Sequence, residues 1–157
     1  MASGVEIWFY HLERTSVEDT LPSLLEKCVE RRWRAIVRSA SPANLDVIDT
    51  SLWTYRANAW LPHGISTGDA LEDDRQPILL VHPPEANSDL VLNAPALFLL
   101  DGADWAGVTG LSRIFVIFDG RDQDAVAHAR TDWRRAKEVG YIPAYWQQSE
   151  DGKWART

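Results

Sequence analysis

Ile114-Phe115-Val116-Ile117-Phe118 is apolar at every position and stops at Asp119-Gly120. A strand with one wet face alternates apolar and polar side chains. An unbroken apolar run closed by a turn pair therefore predicts a strand covered on both faces. The same reading holds upstream for residues 77–82, which end at Pro83-Pro84, and for 96–100, which end at Asp101-Gly102. Such strands need helices on either side, and the rest of the chain supplies them. Downstream, 123–139 reads as a helix stopped by Gly140, and 141–147 as a last strand. Near the start, Val5-Glu6-Ile7-Trp8-Phe9-Tyr10 opens a first strand over 5–12. Thr15 or Ser16 caps a helix over 17–33, where Leu21, Leu24, Leu25 and Cys28 give the three-and-four spacing of one apolar face. Pro22 falls early in that helix, where proline is best tolerated. Residues 34–40 form a second strand, and Ser41-Pro42 opens a second helix through Leu45, Ile48, Leu52 and Trp53. Pro62-His63-Gly64 ends this unit, and an acidic loop follows over 66–75. No repeat or linker interrupts the pattern. The expectation is one α/β domain over 1–157, with a mixed, mostly parallel sheet flanked by helices.

A chain of 157 residues with 45% hydrophobic content can bury a core of its own. The net charge of -7 disfavours direct nucleic-acid binding, which rests on phosphate neutralisation, unless the basic residues cluster. A single cysteine, Cys28, excludes an internal disulfide and a cysteine-rich zinc site. No apolar run is long enough to span a membrane, and charge is met as early as Glu6 and Glu13, so a cytoplasmic protein without a signal peptide is expected. Eight tryptophans are more than a core this size needs, and several stand beside charges, as on recognition surfaces.

Alternating strands and helices resemble a Rossmann-like nucleotide-binding fold, but the phosphate motifs are missing. Neither G-x-x-x-x-G-K-[ST] nor a G-x-G-x-x-G after the first strand occurs, and Gly102, Gly107 and Gly110 are spaced too widely. His11, His63, His82 and His128 are scattered without helical ligand spacing, so no metal is expected. Asp101, Asp104 and Asp119 lie near strand ends, where catalytic carboxylates of α/β enzymes often lie, yet Asp-Gly after a strand is also the commonest turn. Turns are the favoured reading. No catalytic residue and no cofactor are expected.

The informative segment is the helix from Asp124 to Gly140. Val126, Ala129, Trp133 and Ala136 fall within one arc, while Arg130, Arg134 and Lys137 follow i, i+4, i+7 spacing on the adjacent arc. Arg135 points the other way. Three cations beside an aromatic-bearing stripe suit an acidic, partly apolar peptide, because arginine clasps carboxylates and tryptophan supplies flat apolar area. Residues 1–120 carry 9 Lys and Arg against 17 Asp and Glu, whereas 121–157 carry 7 against 6. The plainer alternative is a solvated face whose basic end complements the helix macrodipole.

Short motifs along nearly the whole chain resemble the chi subunit family of bacterial DNA polymerase III. They are Phe9-Tyr10, Leu52-Trp53, Trp60-Leu61-Pro62-His63-Gly64, Gln76-Pro77, Phe118-Asp119-Gly120, Ala129-Arg130-Thr131-Asp132-Trp133-Arg134, Gly140-Tyr141, Tyr145-Trp146-Gln147 and Gly152-Lys153-Trp154. The resemblance implies a non-catalytic subunit of the clamp-loader assembly that binds the acidic C-terminal tail of single-stranded DNA-binding protein, which ends in phenylalanine. It thereby meets DNA only indirectly. By that resemblance Arg130 holds the tail's terminal carboxylate, Trp133 walls the phenylalanine pocket, Arg134 and Lys137 meet the tail's aspartates, and Trp53 lies near the same site. Trp60, with Leu61, corresponds to the surface for the psi subunit or another clamp-loader component, though Trp60 can equally be core. Two other classes remain to be weighed. One is a small nucleotide-dependent enzyme with Asp119-Gly120 at its site, and the other is a direct single-stranded DNA binder that stacks bases on its tryptophans.

Overall fold

The computed structural model describes residues 4–54, 62–66, 76–82, 92–148 and 154–156. The first strand, β1 (Glu6–Leu12), leads into α1 (Val17–Glu30), then β2 (Ala35–Ser39) and α2 (Pro42–Thr54). β3 (His63–Ile65), β4 (Ile78–Val81), β5 (Leu92–Asn93), β6 (Ala96–Leu100), β7 (Val108–Thr109) and β8 (Arg113–Asp119) follow. The chain closes with α3 (Gln123–Glu138), β9 (Ile142–Gln148) and β10 (Trp154–Arg156). Eight strands form one sheet in the order β10-β9-β1-β8-β6-β2-β4-β3, and β5 and β7 form a separate two-stranded pair. From β9 to β3 every pairing is parallel, and only β10 runs antiparallel, against β9.

The unbroken apolar runs are the inner strands. β2, β4 and β6 are buried at every position, and β8 at its five central positions. Their alternate side chains feed two cores. On one face, α1 and α2 bring Leu21, Leu25, Ile48 and Leu52 onto Tyr10, Val37, Phe98 and Phe115. The rings of Phe98 and Phe115 stack there, 4.3 Å apart and nearly parallel. On the other face, α3 contributes Ala129 and Ala136, packed against Ile7, Phe9, Ile36, Leu97 and Val116. The loop after β6 covers the remainder of that face with Trp105. It is tied down by buried Arg38, which donates to the carbonyl oxygens of Asp104 and Ala106 at 2.7 and 2.9 Å.

Sequence and structure differ mainly at the ends of elements. Ser16 caps α1 as expected, its hydroxyl accepting from the amide of Asp19. The helix stops at Glu30 rather than at residue 33, because Arg32 enters the left-handed region (φ 58°). The amide of Trp33 then reaches back to the carbonyl of Cys28, and that of Arg32 to Val29, satisfying carbonyls that the helix end leaves open. The segment 62–64, expected only to end a unit, instead begins the edge strand β3. β5, β7 and β10 were not foreseen either, being only two or three residues long.

Cys28 lies in the first core beside α1, and burial pushes its thiol up to about 11 against the opposing pull of Arg31 and Arg113. Burial likewise raises the Tyr10 phenol to about 12. Both groups are held neutral in the fold, so the native state keeps protons that the unfolded chain releases from about pH 9 upward. Stability should therefore be full below that pH and decline as pH rises toward 12. A thiol titration at pH 8 should find Cys28 unreactive until denaturant is added.

Candidate functional site

Three elements build a pocket around α3. Asp122 starts the helix by accepting from the amides of Asp124 and Ala125. Gly140 (φ 85°) ends it, and the amide of Tyr141 returns to the carbonyl of Ala136. Ala129 and Ala136 are buried and small, so the helix axis lies close to the sheet. Trp133, one turn after Ala129, leans on Phe9 of β1 with ring centroids 5.4 Å apart, and meets Tyr145 of β9 edge-on at 6.2 Å. The strand order sets these rings side by side, because Phe9 is in register with Tyr145, and His11 with Phe118 of β8.

Between the helix and the three strands is a hollow of about 470 Å³, lined by Phe9, Phe118, Val126, Ala129, Trp133 and Tyr145, with His11 and Arg130 as its basic members. That volume is ordinary for a site that takes a ring-sized ligand. His11 is fixed in place through its Nδ1, which hydrogen-bonds the Tyr145 hydroxyl, and through Glu13, 3.3 Å from its Nε2. The turn after β8 must be glycine here. A Cβ on Gly120 would fall 1.8 Å from His11 Nε2. Burial raises the Tyr145 phenol above its ordinary value, with Arg130 acting in the opposite direction, so this hydroxyl stays protonated at neutral pH.

Arg130, Arg134 and Lys137 are exposed along the same flank of α3. Lys137 Nζ sits 5.5 Å from the centre of the Trp133 ring. Among the described residues no carboxylate pairs with any of these three cations. Arg135 is the contrast. It is bound to Asp104 at 3.1 Å and Asp132 at 3.5 Å, and lies over the Trp105 ring at 4.5 Å. The flank of α3 on that side borders a hollow of about 430 Å³ lined by Asp101, Asp119, Asp122, Asp124, Asp132 and His128. The helix thus separates a basic, aromatic flank from an acidic one.

The structure brings together Arg130, Trp133, Arg134 and Lys137, but it does not bring Trp53 to them. Trp53 belongs to α2, which covers the opposite face of the sheet, and it packs against His63 of edge strand β3 with ring centroids 4.2 Å apart. The expectation of Trp53 beside the α3 site is corrected on that ground: a residue of α2 cannot reach through a sheet buried on both faces. Trp60 and Leu61 lie outside the described residues. Sequence reasoning missed Phe9, His11, Phe118 and Tyr145 as pocket residues. All but His11 stand in motifs that carried the family resemblance, which was the available signal.

The strand-end aspartates are turn residues. Asp119 holds the side chain and amide of Arg121 at 2.9 Å, which keeps its carboxyl below the usual range. Asp101 accepts from the Ser39 hydroxyl and the Asn44 amide. Among the described residues, no three His, Cys, Asp or Glu are placed to hold a metal ion, and no helix is long and apolar enough to cross a membrane.

Fold and site together define a mixed, mostly parallel α/β module of Rossmann-like shape, with an aromatic pocket on one helix flank. The fold is similar to the C-terminal domain of the DEAD-box protein Dbp5 (TM-score 0.57, 10% identity), over 90% of this chain and 91% of that one. No curated protein matches the chain in sequence. Residues 5–144 match the family described as DNA polymerase III chi subunit, HolC, and the chain belongs to that family. It is accordingly a non-catalytic accessory subunit in DNA replication, and the nucleotide-dependent enzyme is set aside.

Replacing Asp122 with Ala removes the acceptor that starts α3. It should cost about 1 kcal/mol of stability, read as a lower urea midpoint with an unchanged slope.

Proposed function

We propose that the α3 pocket binds the acidic C-terminal tail of single-stranded DNA-binding protein, and that the chain thereby links that protein to the clamp-loader assembly. The observation that carries this reading is an apolar, ring-sized hollow bordered by Arg130, which pairs with no carboxylate among the described residues. A terminal phenylalanine side chain fills the hollow between Phe9, Phe118, Trp133 and Tyr145, while its carboxylate meets the Arg130 guanidinium. Arg134 and Lys137 continue the cationic flank for aspartates further back along the tail. The acidic hollow on the far side of α3 disfavours seating an acidic peptide on that flank of the helix.

A second contact belongs at the β3 edge. Trp53 is 59% exposed and Ile65 38% exposed there. We assign this edge to the psi subunit or another clamp-loader component. On this reading the α3 pocket reaches DNA only through the protein whose tail it holds.

Fluorescence anisotropy with a labelled tail peptide tests the pocket. Arg130→Ala should weaken binding by about 2 kcal/mol or more, because it strands a carboxylate that has already lost its water. Removing the peptide's final phenylalanine should abolish measurable binding, and Trp53→Ala should leave the affinity unchanged. Added salt should weaken binding without eliminating it, since the ring contact is not ionic. Full affinity in Arg130→Ala would remove the tail from this pocket.

A further inference from the structure

At the end of the sheet where β2, β4 and β8 begin, on the side covered by α1, two hollows adjoin and share Trp33 as a wall. Lys27, Arg31 and Arg113 border the first, of about 190 Å³, together with Trp8. Arg32 and Arg34 border the second, of about 270 Å³. In a chain of net charge -7, five cations border these two hollows and, among the described residues, no carboxylate lines them; Arg34 also donates to the carbonyl oxygens of Gln76 and Asn93 at 3.2 and 2.8 Å. Glu6 reaches Arg113 at 3.0 Å and occupies one end of its guanidinium. Arg113 Nε and Trp8 Nε1 remain buried donors without an acceptor. The net charge disfavoured nucleic acid only so long as the basic residues stayed dispersed, and the fold gathers them.

The backbone adds an independent observation. Arg32 holds the left-handed conformation (φ 58°) at the end of α1, a position that glycine fills without strain and that an arginine occupies at a cost. The conformation ends α1 and leaves the Arg32 side chain exposed. Here that side chain borders the groove.

We infer that this groove binds single-stranded nucleic acid directly, with Lys27, Arg31 and Arg32 against successive phosphates and Trp33 offering a face on which a base stacks. Guanidinium groups already lie over these rings: Arg113 over Trp8 at 3.9 Å, and Arg31 and Arg113 at 5.6 and 5.7 Å from Trp33. Cations beside an aromatic ring suit a chain of repeated charges and flat bases. The α3 site, one apolar hollow with one arginine at its border, suits a single chain end. The groove lies on the opposite face of the sheet from α3, and the inference stands whether or not the tail binds there. The acidic remainder of the protein keeps the interaction weak and strongly salt-dependent.

The test is a titration of the full chain at low salt with a labelled oligothymidylate, beside a polyglutamate peptide of matched charge. The oligonucleotide should bind, quench tryptophan fluorescence and outcompete the peptide. Arg32→Gly should raise the melting temperature, by relieving the strained backbone, yet weaken oligonucleotide binding severalfold and reduce its salt slope by about 0.7. That pairing separates a lost contact from a damaged fold. Arg31→Ala should weaken binding too, and Arg130→Ala should not. No binding at low salt, equal binding in wild type and both groove variants, or polyglutamate binding as tightly as the oligonucleotide would each overturn the assignment.

Discussion

The three inner strands β2, β4 and β6 have no wet face, and this constraint organises the rest of the molecule. Parallel strands buried on both sides must be covered twice. α1 and α2 are committed to one face, and α3, with the Trp105 loop, to the other. Nothing from one layer can contribute to a site on the other, which is why Trp53 and Trp133 are separated although both are tryptophans on helices. The same requirement generates the pocket. Ala129 lets α3 approach the sheet, while Trp133 a turn later stands off on Phe9 and Tyr145. The hollow is the space between a small residue and a large one on the same helix face.

Charge is then sorted by the layers. On α3, Asp132 and Arg135 turn toward Asp104 and Trp105, closing an internal network on one flank. Burial raises the Asp132 carboxyl above its ordinary range, against the opposing pull of His128 and Arg135. Arg130, Arg134 and Lys137 are left on the other flank without carboxylate partners among the described residues. Uncommitted cations beside an aromatic wall are more useful for recognition than for stability, since exposed ion pairs contribute little to folding.

Much of this was legible in the sequence, for identifiable reasons. Apolar runs such as 114–118 announced doubly covered strands, and the spacing of Val126, Ala129, Trp133 and Ala136 announced the face that α3 buries. The basic stripe of Arg130, Arg134 and Lys137 was equally plain, because a helix fixes which residues share a flank. What periodicity could not supply was strand order. That Phe9, Phe118 and Tyr145 meet depends on β1 lying between β8 and β9, a long-range choice with no local signature. The end of α1 was misplaced because an arginine stands at Arg32 where glycine would have marked the stop. The groove around Trp33 was invisible for both reasons together, since it joins residues 27–34 to Trp8 and Arg113 across the sheet.

The two proposed surfaces have a joint consequence. A tail that ends in phenylalanine and a stretch of bare strand belong to neighbouring parts of one nucleoprotein filament. A module that holds the tail on the α3 flank, and touches the strand at the far end of the other face, meets both at once. Once the first contact forms, the second becomes intramolecular, and its strength is set by effective concentration rather than by bulk ligand. Two individually weak and salt-sensitive sites can then give a firm but rapidly adjustable attachment. Weakness in the groove is in that case a requirement. A tight strand-binding site on an acidic protein would compete with the coating protein for the template, whereas a weak one acts only where the tail has already brought the module into place.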